Sequence, residues 1–301
     1  MIKDIIKLIR VKQWYKNLLV FLPLVFGQQL FNFNLVFATF FGFVALCLIS
    51  SSNYILNDIF DRKKDRINLE KKNRPIASGK ISVKFAILLA ILFFSGSIFI
   101  AINLSLIFLF FVTSLFTLTQ FYTFKLKNIA FVDILTISIN FVLRAVSGVF
   151  IVSQSLGERV GVSYWLILCP FFLALFLASS KRQAEVILLK DSAKAHRKVL
   201  NEYTKEITFG LMIISTTLLI ISYSIYIMSS SYPQLIFTLP FVLYLIFSFF
   251  AYAEKGQDIA RNPELIYRNK FLVLVVVLVL VLVLLSIYGV SSFKWFSFKF
   301  F

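Results

Sequence analysis

Apolar residues in this chain run on for about twenty positions at a time, with polar residues gathered in the breaks rather than spaced at every third or fourth place. Nine such runs can be marked, at residues 18–33, 35–56, 84–103, 106–124, 131–152, 164–180, 207–228, 233–253 and 271–289. A helix needs about 20 apolar residues to cross roughly 30 Å of hydrocarbon, and inside lipid it must satisfy its own backbone polar groups. The pattern therefore predicts an all-α fold, a polytopic membrane bundle of about nine transmembrane helices. Residues 1–17 have another pattern, with Ile5, Ile6, Leu8, Ile9 and Trp14 on an oily side and Lys3, Asp4, Lys7, Arg10 and Lys12 scattered between. This predicts an interfacial amphipathic helix rather than a cleaved signal peptide. No internal repeat or low-complexity linker interrupts the chain, so one transmembrane domain over 1–301 is the simplest parse.

Composition agrees, because a chain that is 59% hydrophobic and 15% charged is no ordinary soluble domain. The net charge of +17 would suit nucleic acid, but its placement says otherwise. With the N-terminus inside, 27 of the 31 Lys and Arg residues fall in inner segments, the pattern of a cell-membrane protein oriented by its positive loops. The N-terminus is then expected in the cytoplasm and the C-terminus outside, with the lipid bilayer as partner and no nucleic acid. Cys47 and Cys169 fall in separate apolar spans, where packing is expected and a disulfide is not.

One inner stretch, NDIFDRKKDRINLEKKNRPIASG over 57–79, holds four of the fourteen acidic residues. Asn57, Asp58, Asp61 and Asp65 are spaced to share one side of a helix continuing out of the second span, where their carboxylates repel. A hard divalent cation among them relieves that repulsion, and Mg²⁺, which keeps waters and takes phosphate oxygens, suits the donor set. The alternative is simple pairing with Arg62, Lys63, Lys64 and Arg66 on a solvated helix end. Asp58, two residues beyond the apolar run Tyr54, Ile55 and Leu56, is expected at membrane depth, where a carboxylate is costly and usually functional. A basic arm of Lys71, Lys72 and Arg74 follows, suited to clamping phosphate or to resting on anionic headgroups. Loops 57–83 and 181–206 carry most of the unusual chemistry, and a site built from both is expected to face the cytoplasm.

These residues resemble the UbiA superfamily of nine-helix intramembrane prenyltransferases, whose motif N-D-x-x-D-x-x-x-D is matched at Asn57, Asp58, Asp61 and Asp65. The resemblance implies metal binding by those aspartates, and a second aspartate-rich motif after the sixth span. Here that segment reads SSKRQAEVILLKD, with Lys181, Arg182 and Glu185 in place of aspartates. In this it is similar to the decaprenyl-phosphate phosphoribosyltransferase branch. VKQWYKN is similar to that branch's N-terminal motif, with Arg10 its best-matched basic residue and Lys16 and Asn17 at its end. YTFKLKNIAFVDI matches at Tyr122, Lys127 and Asp133, LRAVSG at Arg144, and KRQAE at Lys181, Arg182 and Glu185. Where the branch often has His-Pro, this chain has Asn68 and Leu69.

The expected reaction is Mg²⁺-assisted transfer of phosphoribose from phosphoribosyl diphosphate to a polyprenyl phosphate. The resemblance implies metal at Asp58, Asp61 and Asp65, with Asp58, Asp61 and Glu185 catalytic. It also implies substrate contacts from Lys16, Asn17, Asn57, Arg66, Lys71, Arg74, Tyr122, Lys127, Asp133, Arg144, Lys181 and Arg182. The residues alone leave other partners open. Asp133 and Arg144 are eleven positions apart on one predicted helix, about 16 Å, so each must pair elsewhere or meet substrate. The lone histidine, His196, receives no role. Prenyl transfer to an aromatic or quinone acceptor is the alternative enzyme reading. Secondary transport is the alternative outside enzymology.

Overall fold

The computed structural model describes residues 2–68, 71–189, 200 and 202–289. Its longer helices are α3 (Phe33–Phe60), α5 (Val83–Leu104), α6 (Leu106–Phe124), α7 (Val132–Leu156), α8 (Tyr164–Leu189), α9 (Lys205–Ser229), α10 (Leu239–Glu254) and α12 (Lys270–Tyr288). Shorter ones are α1 (Ile2–Leu8), α2 (Leu22–Phe26), α4 (Arg62–Ile67) and α11 (Asp258–Arg261). Polar residues begin the spans where expected: Asn32, Ser82, Ser105, Thr204 and Asn269 each accept a hydrogen bond from a first-turn amide of α3, α5, α6, α9 and α12. Eight helices among the described residues are long and apolar enough to cross a membrane, and the protein is a multi-pass membrane protein.

The remaining expected span, 18–33, takes another form. Residues Val11–Phe21 make an eleven-residue 3₁₀ helix, continued by α2. Such helices seldom exceed a few residues, and the neighbours explain this one. Trp14, Asn17 and Val20 form one stripe at i, i+3, i+6. Trp14 Nε1 donates to Ser51 Oγ (3.1 Å) and Asn17 Nδ2 meets Cys47 Sγ (3.3 Å), both on α3. On α7, Arg144 Nε donates to Asn17 Oδ1 (2.8 Å), while the backbone of Gly148 lies against Val20. Three residues of 3₁₀ helix advance about 6 Å, as do four of α helix. Each 3₁₀ turn thus meets the next turn of both neighbours, antiparallel to α3 and parallel to α7. With its longer rise, the segment 11–26 extends about 30 Å, enough to cross hydrocarbon in few residues. Gly148→Ala is expected to be strongly destabilising, since a Cβ there would lie 2.1 Å from the carbonyl oxygen of Val20. We expect a loss of about 3 kcal/mol or misfolding, read by thermal unfolding in detergent.

Contacts divide the chain into two compact units, Met1–Leu126 with Leu143–Val162, and Lys127–Val142 with Ser163–Phe301, so α7 contributes to each. In the first unit α3 and α5 pack through small residues. Ser52 Oγ donates to the Ala90 carbonyl (3.0 Å) and Ser97 Oγ to that of Ala45 (2.8 Å), the close approach that membrane helices favour. The expected amphipathic helix is α1, docked by Leu8, with Ile5 and Ile9, onto Ile55, Ile76 and Ala86. Ile6 points away and Trp14 belongs to the 3₁₀ segment. In the second unit Phe176, Met212, Ile246 and Phe249 form the core of α8, α9 and α10. Both cysteines are free thiols. The expected loop 181–206 begins as helix, because α8 continues to Leu189. Much of the remainder, with His196, lies outside the described residues.

Candidate functional site

The acidic motif lies in the first unit, where α3 ends. Asn57 and Asp58 occupy its last turn and Asp61 the bend before α4. The amides of Asp61 and Asp65 still bond to carbonyls four residues back, at 2.9 and 2.8 Å, so the helical track continues through the bend. Asp58 and Asp65 thereby reach the same side, both buried. There they meet one nitrogen: Arg74 Nη1 donates to Asp58 Oδ1 (2.9 Å) and to Asp65 Oδ2 (2.8 Å). Asp58 Oδ1 also accepts from Arg10 Nη2 (2.6 Å). Arg10 adopts left-handed backbone geometry (φ 53°) at the start of the 3₁₀ segment, and its guanidinium stacks over Tyr54 at 4.7 Å. Strained geometry persists where surrounding contacts enforce it, here the ion pair and the ring. Burial pushes the Asp65 carboxyl above its usual range, with Arg74 and Lys71 pulling it back.

Among the described residues no group of three or more His, Cys, Asp or Glu side chains converges as a metal centre. Two buried carboxylates converge instead on one cationic nitrogen. Two carboxylate oxygens this close are hard donors of the kind that would suit a divalent ion such as Mg²⁺. The donors fit such an ion once the arginine withdraws, and the Arg74 side chain, 22% exposed, has water to withdraw into.

A second polar centre lies in the second unit. Arg182 is 2% exposed, and its Nε and Nη2 both donate to Asp133 Oδ2 at 2.9 Å. Its Nη1 pairs with Glu185. Tyr203 donates through its hydroxyl to Asp133 Oδ1 and accepts from the Phe131 amide at 2.9 Å. A guanidinium again joins two carboxylates, but this one is enclosed. Beside it, Gln183 links Thr208 on α9 to Glu254 on α10, and Glu254 reaches Lys205 at 3.3 Å.

The structure thus groups Asp58, Asp65 and Arg74, with Lys71 nearby, in one unit, and Asp133, Arg182 and Glu185 in the other. Asn17 and Arg144, 127 positions apart, hydrogen-bond directly. Arg66 turns elsewhere, its Nε donating to the Ala77 carbonyl (3.1 Å). Lys16 rides over its neighbour Tyr15, Asn57 is half-buried in the last turn of α3, and Tyr122 is on the last turns of α6. Lys127 lies in a short 3₁₀ turn and Lys181 on α8. Sequence reasoning missed Tyr203, Gln183 and Glu254, which carry no motif.

The hydroxyl of Tyr203 is pushed well above the ordinary tyrosine range, first by burial and then by its bond to Asp133. A raised group contributes its stability fully below the unfolded value, near 10, so the contribution is constant through neutral pH. Tyr203→Phe is accordingly expected to cost about 1–3 kcal/mol in thermal unfolding, unchanged between about pH 6 and 9.

The UbiA prenyltransferase family model matches residues 18–263. The chain belongs to the UbiA prenyltransferase family. Among curated relatives, it is 33% identical over 186 residues to the uncharacterized protein y4nM of Sinorhizobium fredii, covering 62% of this chain. The match spans only 35% of that protein's length. It is 30% identical over 233 residues to the decaprenyl-phosphate phosphoribosyltransferase of Mycolicibacterium smegmatis, covering 76% of this chain and 71% of that one. A UbiA homolog from Archaeoglobus fulgidus, solved bound to GPP and Mg²⁺, aligns with a TM-score of 0.65 over 94% of this chain and 99% of that one, at 16% identity. UbiA membership makes this a membrane transferase with an all-α bundle. The expected fold is borne out.

Proposed function

We propose that the protein transfers 5-phosphoribose from phosphoribosyl diphosphate to a polyprenyl phosphate in the cell membrane, releasing diphosphate. One observation carries the reading: each unit has an arginine bridging two carboxylates, and of the two only the arginine of the first unit is part-exposed. Arg74 borders water while Arg182 is enclosed. This favours a single exchangeable cation position, at Asp58 and Asp65, instead of the paired acidic clusters that two-metal prenyl transfer would use. The names of relatives such as that of Mycolicibacterium smegmatis support the same reaction.

Asp58 and Asp65 would hold a divalent cation, Mg²⁺ in this reading, with Asp61 at the bend beside them. When bound, the ion supplies charge neutralisation to the departing diphosphate. Arg74 and Arg10, freed from the carboxylates, grip the diphosphate oxygens, and Lys71 adds positive potential. The bond from the ribose anomeric carbon to diphosphate breaks, and a phosphate oxygen of the lipid bonds to that carbon. The lipid phosphate is already an anion at neutral pH, so no base must take a proton. We further propose that the carboxylates face the cytoplasm, where phosphoribosyl diphosphate is available.

The test is transfer of radiolabel from phosphoribosyl diphosphate onto extractable lipid by membranes containing the protein. The reading expects labelled lipid that disappears with EDTA and returns with Mg²⁺. Labelling from a prenyl diphosphate onto an aromatic acceptor, with none from phosphoribosyl diphosphate, would replace it with the prenyl-transfer alternative.

A further inference from the structure

A second basic site lies beside α4, lined by residues other than the carboxylates of the first centre. Where α3 ends, α4 begins and α5 begins, a hollow of about 350 Å³ is lined by Ile59, Phe60, Arg62, Lys63, Arg66 and Val83. Three cations and three apolar side chains line it, and among the described residues no acidic one does. Arg62 and Arg66 are four apart on α4, and the neighbouring carboxylate of Asp65 is taken up by Arg74. Among the described residues the buried Nε of Arg62 has no hydrogen-bond partner, a donor that an anion could satisfy. Around the hollow the surface is oily: Phe60 is 57% exposed and packs edge-on against Phe124, itself 52% exposed.

Cations beside exposed aromatic rings, at the end of a membrane-crossing helix, match a phosphate head joined to acyl chains. A soluble phosphate would use the cations and leave the rings idle. We infer that this hollow binds the phosphate headgroup of an anionic membrane lipid, separately from the transfer reaction and independently of that reading. The bound lipid would staple the short helix α4 to the bilayer and so steady the segment that carries Asp65.

The full-length protein, reconstituted in phosphatidylcholine nanodiscs with or without phosphatidylglycerol, tests this by native mass spectrometry and thermal unfolding. The inference expects at least one phosphatidylglycerol retained about tenfold more often than phosphatidylcholine, with a higher Tm in the anionic discs. Arg62→Gln combined with Lys63→Gln should hold one fewer phosphatidylglycerol. Lys63→Gln alone, at an exposed position that leaves folding undisturbed, should weaken retention in the same direction. Equal retention of the two lipids would overturn the proposal, as would an unchanged lipid count in both variants. Release of the lipid by millimolar inorganic phosphate or diphosphate would reassign the hollow to a soluble phosphate.

Discussion

Asp58→Asn is expected to reduce transfer by about 10³-fold or more while the protein still inserts and folds. Asparagine keeps the shape and removes the charge, and the charge is what three groups need. Asp58 Oδ1 accepts from both Arg10 and Arg74, and in the proposed reaction it would hold a cation as well. Both arginines border water, so they can re-solvate when their partner is lost, and the cost in stability should be small. Asp61→Ala is expected to lower activity comparably. Phosphoribosyl transfer by purified variants, with circular dichroism as the folding control, measures both effects. Substantial turnover in either variant would remove it from the active centre.

The opposite outcome is expected in the second unit, where stability suffers first. Asp133→Leu leaves Arg182 charged and nearly fully enclosed without its Asp133 carboxylate, and takes away the acceptor of the Tyr203 hydroxyl. Breaking a buried pair on one side costs about 3–5 kcal/mol, because the surviving charge cannot reach water. Replacing both partners, Asp133→Leu with Arg182→Met, should recover most of that loss, since an apolar pair of similar volume needs no solvation. Glu185→Gln should cost less, as its side chain is 14% exposed. Thermal unfolding of the four proteins in one detergent separates these expectations. A double variant no more stable than Asp133→Leu would mean that the pair matters for more than charge balance.

The spans could be read from sequence because lipid imposes one rule, an apolar run with an internally bonded backbone, and seven of them end within a few residues of expectation. The acidic motif was legible for a similar reason: a helical track fixes which side residues 58, 61 and 65 share. What sequence left open was the choice of tertiary partner. Asp133 had candidates on several segments, and it chose Arg182 and Tyr203, 49 and 70 positions away. The 3₁₀ form of 11–21 was hidden too, since apolar content is the same in either helix. Its signal was the spacing of Trp14, Asn17 and Val20, which gains meaning only beside Cys47, Ser51, Arg144 and Gly148. Glu254 and Gln183 carry no motif, and only packing of α8, α9 and α10 brings them together.

The central claim is that Arg74 occupies a cation position which a divalent ion takes over. Titrating the purified protein with Mn²⁺ and following free ion by electron paramagnetic resonance tests it without any substrate. Arg74→Gln is predicted to bind Mn²⁺ several-fold more tightly than the unaltered protein, and Asp58→Asn to bind it at least about tenfold more weakly. Mn²⁺ affinity that is the same in all three proteins would contradict the account.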